Sequence, residues 1–192
     1  MGREFELKYT TTADRQQAIG AKFGNFRRID METTYFDTAD SALSARKMTL
    51  RLRRENDTTI CTLKTPLPDG SRGEWECEAA TIAAGCETLL TLGAPAELAV
   101  LTATGLQIAC GARFTRYATE VPTADGTAEL ALDSGVLLGG SKEIPLCEVE
   151  IELKTGSDTA AQALANAIAA EFNLQEEPRS KFQRASALAK GE

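Results

Sequence analysis

Carboxylate and cationic side chains recur at every second position in four short segments of this chain. The segments are EFELK at residues 4–8, LRLR at 50–53, EWECE at 74–78 and EVEIELK at 148–154. Sets of carboxylate oxygens bind hard divalent cations, whereas Arg and Lys bind anionic oxygens. The four segments together therefore indicate a site where a metal ion and an anion meet.

A period of two is the period of a β-strand, so each segment places its charged side chains on one face and its apolar side chains on the other. Successive charges on such a face lie about 7 Å apart. Two carboxylates at that distance repel by about 2 kcal/mol at an effective dielectric near 20. One such strand alone is usually a solvated sheet face, but the repetition over several strands favours a shared charged site.

The chain contains no histidine. This excludes Ser-His and Cys-His catalysis and the common zinc enzymes, so any chemistry must use carboxylates, Lys, Arg, Tyr or a metal ion. The net charge of −7 argues against a nucleic-acid-binding surface. It leaves room for a small anionic ligand, because an enclosed site is governed by its local charges.

The composition is that of an ordinary soluble protein, with 43% apolar and 26% charged residues. We predict a single domain over residues 1–192, located in the cytoplasm, without contact to membranes, and present as a monomer or homodimer. The five cysteines are scattered and form no CxxC pair. They are typical of buried thiols in a reducing compartment and not of a zinc site or a disulfide framework.

Strand patterns dominate the chain. The predicted strands lie at residues 4–8, 32–38, 47–55, 58–65, 72–79, 112–121, 127–133 and 145–154. The predicted helices lie at 13–23, 81–105 with a break at 93–95, 158–172 and 180–189. The Pro66–Ser71 segment is the clearest loop.

This order of elements predicts an α+β protein whose sheet closes on itself. We expect a closed eight-stranded antiparallel β-barrel, or tunnel, with a polar, charged lumen and with helices covering its apolar outer faces. An eight-stranded barrel is wide enough to hold one small ligand.

Several motifs in their order along the chain resemble the CYTH superfamily, the triphosphate tunnel metalloenzymes. Glu4-Phe5-Glu6-Leu7-Lys8 matches the ExExK signature of that family. The later elements are Tyr35-Phe36-Asp37-Thr38, Leu50-Arg51-Leu52-Arg53, Thr62-Leu63-Lys64, Gly73-Glu74-Trp75, Arg116, Leu130-Ala131-Leu132-Asp133, the 148–152 strand and Ser180-Lys181. The resemblance covers almost the entire chain and is greatest to the bacterial inorganic triphosphatases.

The resemblance implies a tunnel that binds a triphosphate together with Mg²⁺ or Mn²⁺. The implied metal-binding carboxylates are Glu4, Glu6, Glu129, Asp133, Glu148 and Glu150. The implied substrate-binding residues are Lys8, Arg51, Arg53, Lys64, Glu74, Arg116 and Lys181, and the implied catalytic residues are Glu150, Glu152 and Lys8. One position that can be basic in relatives is Ala118 here, and Arg113 is a possible substitute for it.

Phosphate chemistry gives these residues their expected roles. Arg makes bidentate contacts to phosphate and Lys acts as a point charge. A metal ion neutralises phosphate oxygens and acidifies an attacking water, which a carboxylate such as Glu150 or Glu152 would deprotonate. Arg51 and Arg53 could instead pair with Glu74 and Glu76 across neighbouring strands.

The expected reaction is metal-dependent hydrolysis of inorganic triphosphate to pyrophosphate and phosphate. Thiamine triphosphatase, nucleoside triphosphatase and class IV type adenylyl cyclase activities use the same tunnel and remain alternatives. A further alternative is a non-catalytic module that binds polyphosphate or a nucleotide. Such a module would need the basic residues but not the carboxylates that position a metal.

Overall fold

The computed structural model describes residues 2–67 and 72–191 of the chain. Within these residues, ten strands form one sheet and six helices pack against it. The strands are β1 (Gly2–Glu4), β2 (Glu6–Thr10), β3 (Arg27–Asp37), β4 (Thr49–Glu55), β5 (Thr58–Pro66), β6 (Arg72–Glu78), β7 (Gln107–Pro122), β8 (Thr127–Gly139), β9 (Lys142–Thr155) and β10 (Gln175–Glu176). The helices are α1 (Ala13–Phe23), α2 (Ala42–Ala45), α3 (Ile82–Thr91), α4 (Glu97–Thr102), α5 (Asp158–Phe172) and α6 (Lys181–Lys190).

All neighbouring strands of the sheet are antiparallel, in the order β1-β6-β5-β4-β3-β7-β8-β9-β2-β10. β1 pairs with β6 at one end of this order, and β2 pairs with β9 near the other end. Only Phe5 separates β1 from β2 along the chain. The two ends of the sheet therefore lie within a few Å of each other, since consecutive Cα atoms are about 3.8 Å apart.

The prediction of an α+β protein with an antiparallel sheet is confirmed, but the prediction of a closed eight-stranded barrel was wrong. The described residues form ten strands, and their ladder runs between two edges, β1 and β10, without closing. The physical reason lies at Phe5, where the first strand divides and each half takes a different partner. The carbonyl of Phe5 accepts a hydrogen bond from the Leu153 amide at 3.0 Å, so this residue still contacts β9.

Two apolar clusters cover the outer faces of the sheet, as predicted. In the first, α3 and α4 bury Leu89 and Leu98 against Leu50 and Leu63 of β4 and β5. Fully burying a Leu or Ile side chain stabilises the fold by about 1.5–3 kcal/mol relative to leaving it exposed. The second cluster joins α1 and α5 to β2, β8 and β9. The apolar faces therefore point outward to the helices, and the charged faces point inward.

Helix α6 is different because it packs against residues of the inner face. Phe182 joins Ile29, Met31 and Phe114 of β3 and β7 in a third apolar cluster. The approach of α6 to β8 requires a glycine, since a Cβ at Gly139 would lie 2.5 Å from the Ala189 nitrogen. This close packing brings the first residues of α6 to the interior of the sheet.

Most predicted elements are present, with different bounds. The helices predicted at 13–23 and 158–172 are confirmed, whereas β3 begins at Arg27 and not at residue 32. β8 extends to Gly139, and a two-residue turn joins it to β9. Most of the loop predicted at Pro66–Ser71 lies outside the described residues. None of the helices formed by the described residues is long and apolar enough to cross a membrane.

A candidate triphosphate and metal site inside the sheet

The curved sheet encloses a cavity of about 440 Å³, lined by side chains from β1 to β9 and from α6. Among the described residues, nine Lys and Arg and eight Glu side chains line it. The chain as a whole carries a net charge of −7. The near balance of charge around the cavity therefore marks a local concentration of cations on an acidic protein.

Twelve of the fourteen site residues predicted from the sequence line this one cavity. They are Glu4, Glu6, Lys8, Arg51, Arg53, Lys64, Glu74, Arg116, Glu129, Glu150, Glu152 and Lys181. The other two, Asp133 and Glu148, are fully buried behind its wall. Arg113 does not compensate for Ala118, because its side chain is 63% exposed and lies near Glu143. The structure brings the predicted residues together, while the role of each stays a prediction.

Three carboxylates and three cations form a buried ionic cluster at the cavity wall. The Lys181 ammonium lies 2.8 Å from Asp133 Oδ2, 2.7 Å from Glu148 Oε2 and 2.6 Å from Glu150 Oε1. Arg116 donates to both oxygens of Asp133 at 2.7 Å and also pairs with Glu150. Arg184 of α6 pairs with Glu148. The cluster is formally neutral.

The cations of this cluster keep Glu150 ionised. Burial raises the pKa of Glu150, but the nearby Lys181 and Arg116 lower it by more. The pKa of Glu150 is therefore far below its ordinary value. Burial lowers the pKa of Lys181, but Asp133 and Glu150 raise it above its usual range. Glu150 is therefore a carboxylate, and Lys181 an ammonium, throughout the neutral range.

Arg51 and Arg53 of β4 are partly buried cations whose Nε donors are unused, although Arg53 pairs with Glu55 through its Nη2. The nearest carboxylate oxygens to Arg51 lie 3.8 Å away on Glu74 and 3.7 Å away on Glu76, too far for hydrogen bonds. The Nε atoms of both arginines lack a hydrogen-bond partner among the described residues. Burial and the neighbouring Arg51 charge lower the pKa of Arg53. A buried donor without an acceptor destabilises the folded protein, and a bound anion would supply the missing acceptor.

A second group of carboxylates lies along β2, β9 and β8. Glu6, Glu152 and Glu129 are direct partners across these strands. Burial raises the pKa of Glu152, and the Glu6 and Glu129 charges raise it further, while Lys154 opposes the shift. A divalent cation would relieve the repulsion among these three side chains.

Six charged residues of the site were not predicted from the sequence. Arg27, Glu55, Arg72, Glu76 and Lys154 line the cavity, and Arg184 belongs to the buried cluster. Glu55 continues the alternation of Arg51 and Arg53, and Arg72 and Glu76 continue that of Glu74 in β6. Arg184 lies three residues after Lys181 on the same face of α6. These signals could have been read from the sequence.

The sequence is similar to known proteins over most of its length. A protein-family model described as the CYTH domain matches residues 2–186. A Haemophilus influenzae protein named inorganic triphosphatase is 31% identical over 133 residues, which are 68% of this chain and 38% of that protein. This chain therefore spans well under half the length of that curated relative.

Solved structures share the fold. A crystal structure of a Bacillus halodurans protein assigned as an adenylate cyclase aligns with a TM-score of 0.67 and 22% identity, covering 96% of this chain and 98% of that one. A Hippeastrum protein assigned as an adenylyl cyclase, with a dominant triphosphatase activity, aligns with a TM-score of 0.62 and 18% identity. The coverage in that case is 98% of this chain and 95% of that one. At these identities the likeness establishes the fold alone.

Proposed function

Because this chain belongs to the CYTH domain family, we propose that it hydrolyses inorganic triphosphate to pyrophosphate and phosphate in a metal-dependent reaction. The observation that carries this proposal is the pair Arg51 and Arg53, partly buried in the cavity with unused Nε donors. The names of the Haemophilus and Hippeastrum relatives, which include triphosphatase, support it.

The cation arrangement suits a chain of phosphates. Each phosphate group carries about −1.5 to −2 charges at neutral pH, so a triphosphate needs positive charge that is spread over several side chains. Lys8, Lys64, Arg116 and Lys181 line the same cavity as the two arginines. We assign the bidentate contacts to Arg51 and Arg53, and point-charge contacts to the lysines.

An organic group on the triphosphate would need an apolar surface in the cavity. Four of the apolar lining residues, Ile29, Met31, Phe114 and Phe182, are each less than one-tenth exposed, since they pack against one another beneath α6. Ile60 of β5 also lines the cavity and is half-buried. The ammonium of Lys181 also lies 5.2 Å from the centre of the Phe114 ring. Little of this surface is free for a nucleobase or a thiazolium ring, which favours inorganic triphosphate over the alternatives.

The donor set of the cavity fits Mg²⁺ or Mn²⁺. These ions prefer carboxylate oxygens, and the cavity contains clustered carboxylates, among which burial first, and then the Glu6 and Glu129 charges, raise the pKa of Glu152. We propose the predicted carboxylates as the ligands: Glu4, Glu6, Glu129, Asp133, Glu148 and Glu150. Ligand oxygens of Asp133, Glu148 and Glu150 lie within 4.8 Å of one another. Coordination there requires the Lys181 ammonium to move away. A bound ion would neutralise phosphate oxygens and acidify a coordinated water.

The two proposed catalytic carboxylates, Glu150 and Glu152, have pKa values shifted in opposite directions. Glu150 has a strongly lowered pKa beside Lys181 and Arg116, so it is a poor proton acceptor. Glu152 has a raised pKa and a side chain that is 29% exposed. A base works best when its pKa lies near the working pH. We therefore assign the proton transfer to Glu152 and charge positioning to Glu150.

This assignment predicts an activity that rises with pH from the acid side. Because the pKa of Glu152 is raised, its proton-accepting form appears only at a pH above the ordinary carboxyl range of about 4.3. The profile of kcat/KM against pH should rise as Glu152 loses its proton, and Glu152→Gln should lower activity and remove that limb. An optimum at pH 5 in the wild type would contradict the assignment.

The experiment that tests the proposed function is a panel of phosphate-release assays. The substrates are inorganic triphosphate, ATP, thiamine triphosphate and long-chain polyphosphate, each with Mg²⁺ or Mn²⁺. We expect inorganic triphosphate to give the highest kcat/KM. Binding of triphosphate without release of phosphate would instead favour the non-catalytic module.

A further inference from the structure

Gln16 is a buried polar residue of α1, the helix that packs on the outer face of the sheet beside the second apolar cluster. Gln16 is only 9% exposed. Its Nε2 donates to the carbonyl oxygen of Asp133 at 2.9 Å and to that of Glu148 at 2.8 Å. Its Oε1 accepts a hydrogen bond from Ser134 Oγ at 2.5 Å.

The chemistry of these partners fixes the orientation of the Gln16 amide. Both main-chain carbonyls are acceptors only, so the nitrogen with its two N–H groups must face them, and both N–H groups are used. The oxygen then faces the hydroxyl of Ser134, which can donate. A carboxylate of the same shape could not replace this amide, because it would place negative charge against two carbonyl oxygens.

The two carbonyls belong to the residues that organise the buried ionic cluster. Asp133 and Glu148 are register partners on β8 and β9. On the inner side of the sheet, their carboxylates bind Arg116, Lys181 and Arg184. The Gln16 amide, outside the sheet, therefore holds the backbone at Asp133 and Glu148. The carboxylates of these two residues contact the three interior cations.

We propose that Gln16 is a positioning residue of the triphosphate site, an inference that rests on the proposed function. By holding the peptide groups of Asp133 and Glu148 in register, Gln16 keeps their carboxylates in place, and through Asp133 it keeps Arg116 oriented towards the phosphates. Charge-assisted contacts depend steeply on geometry, and a displacement of about 1 Å from a distant mutation can cost about 10²-fold in rate. Gln16 itself contacts neither substrate nor metal.

The test uses Gln16→Met, which keeps the length of the side chain and removes both donors. The matched control is Gln17→Met, at the neighbouring, exposed position of the same helix. Calorimetry with the imido analogue of inorganic triphosphate and Mg²⁺ gives the affinity and the stoichiometry for each full-length protein. We expect about tenfold weaker binding for Gln16→Met, at a stoichiometry near that of the wild type, because all three hydrogen bonds of the Gln16 amide are lost and the peptide groups of Asp133 and Glu148 are no longer held. The control should stay within about twofold of the wild type.

The stoichiometry separates positioning from stability. If Gln16 only stabilised the fold, its replacement would lower the melting temperature and the folded fraction but leave the affinity of the folded molecules unchanged. That result would overturn the inference.

Ser134→Ala removes only the hydrogen bond to Gln16 Oε1, and it is the second variant to measure if Gln16→Met does not fold. We expect about two- to threefold weaker binding for it, and an unchanged affinity there would overturn the inference as well. A wild type that does not bind the analogue would overturn the proposed function and this inference together, whereas a binding wild type with an unaffected variant contradicts Gln16 alone.

Discussion

Replacement of Lys181 by Met is expected to lower the free energy of unfolding by about 3–5 kcal/mol at neutral pH, the range found when one partner of a buried ion pair is removed. The substitution deletes the ammonium that lies within 2.8 Å of Asp133, Glu148 and Glu150. The remaining cations, Arg116 and Arg184, then face three buried carboxylates. Urea denaturation of the wild type and the variant measures the difference.

The difference should shrink in acid. Glu150 has a lowered pKa in the folded protein, so its stabilising contribution is present above its unfolded pKa of about 4.3 and is lost as the pH falls below that value. The wild type therefore loses more stability than the variant, and the two curves approach each other as the pH falls through the acid range. The control is Lys190→Met in the exposed last turn of α6. Equal stability of Lys181→Met and the wild type at pH 7 would contradict the described cluster.

Replacement of Arg51 or Arg53 by Ala is expected to weaken binding of a non-hydrolysable triphosphate analogue by about 1.5–3 kcal/mol each, or about 10- to 150-fold. Both side chains lie on the inner face of β4, where their unused donors face the cavity. Stability should change little for Arg53→Ala, because burial and the Arg51 charge disfavour its guanidinium in the free protein while its partner Glu55 favours it. Calorimetry gives the affinities.

Arg54→Ala is the matched control for this pair. Arg54 is the next residue of β4, but it lies on the outer face, is 55% exposed and pairs with Glu32. Exposed pairs of this kind contribute about 0–1 kcal/mol. Binding of the analogue by Arg54→Ala should therefore equal that of the wild type. Wild-type affinity in Arg51→Ala and Arg53→Ala would show that β4 does not bind the substrate, and would restore the interpretation of these arginines as cross-strand partners of Glu74 and Glu76.

Local periodicity was sufficient to place some of the side chains that line the cavity. Glu4, Glu6, Arg51 and Arg53 alternate with apolar residues, and alternation alone places them on one face of a strand. The apolar partners on the opposite faces then predict helices that cover them, as α3 and α5 do. These features depend only on neighbours in the sequence.

The pairing of charges inside the site could not be predicted in the same way. The partners of Asp133 are Arg116, 17 residues earlier, and Lys181, 48 residues later, so their contacts depend on strand register and on the packing of α6. The division of the first strand at Phe5 also depends on two partners that are distant in sequence, β6 and β9. Gln16 shows no pattern in the sequence, because its role arises only where α1 crosses the pair of Asp133 and Glu148.

The most direct test of the account is phosphate release from inorganic triphosphate by the purified wild-type protein, with Mg²⁺ or Mn²⁺ and then with EDTA. The account predicts release of phosphate and pyrophosphate in equal amounts with metal, and loss of both products in EDTA while circular dichroism shows the protein still folded. Full activity in EDTA would contradict the metal-dependent mechanism, and no release with either metal would contradict the proposed triphosphatase function.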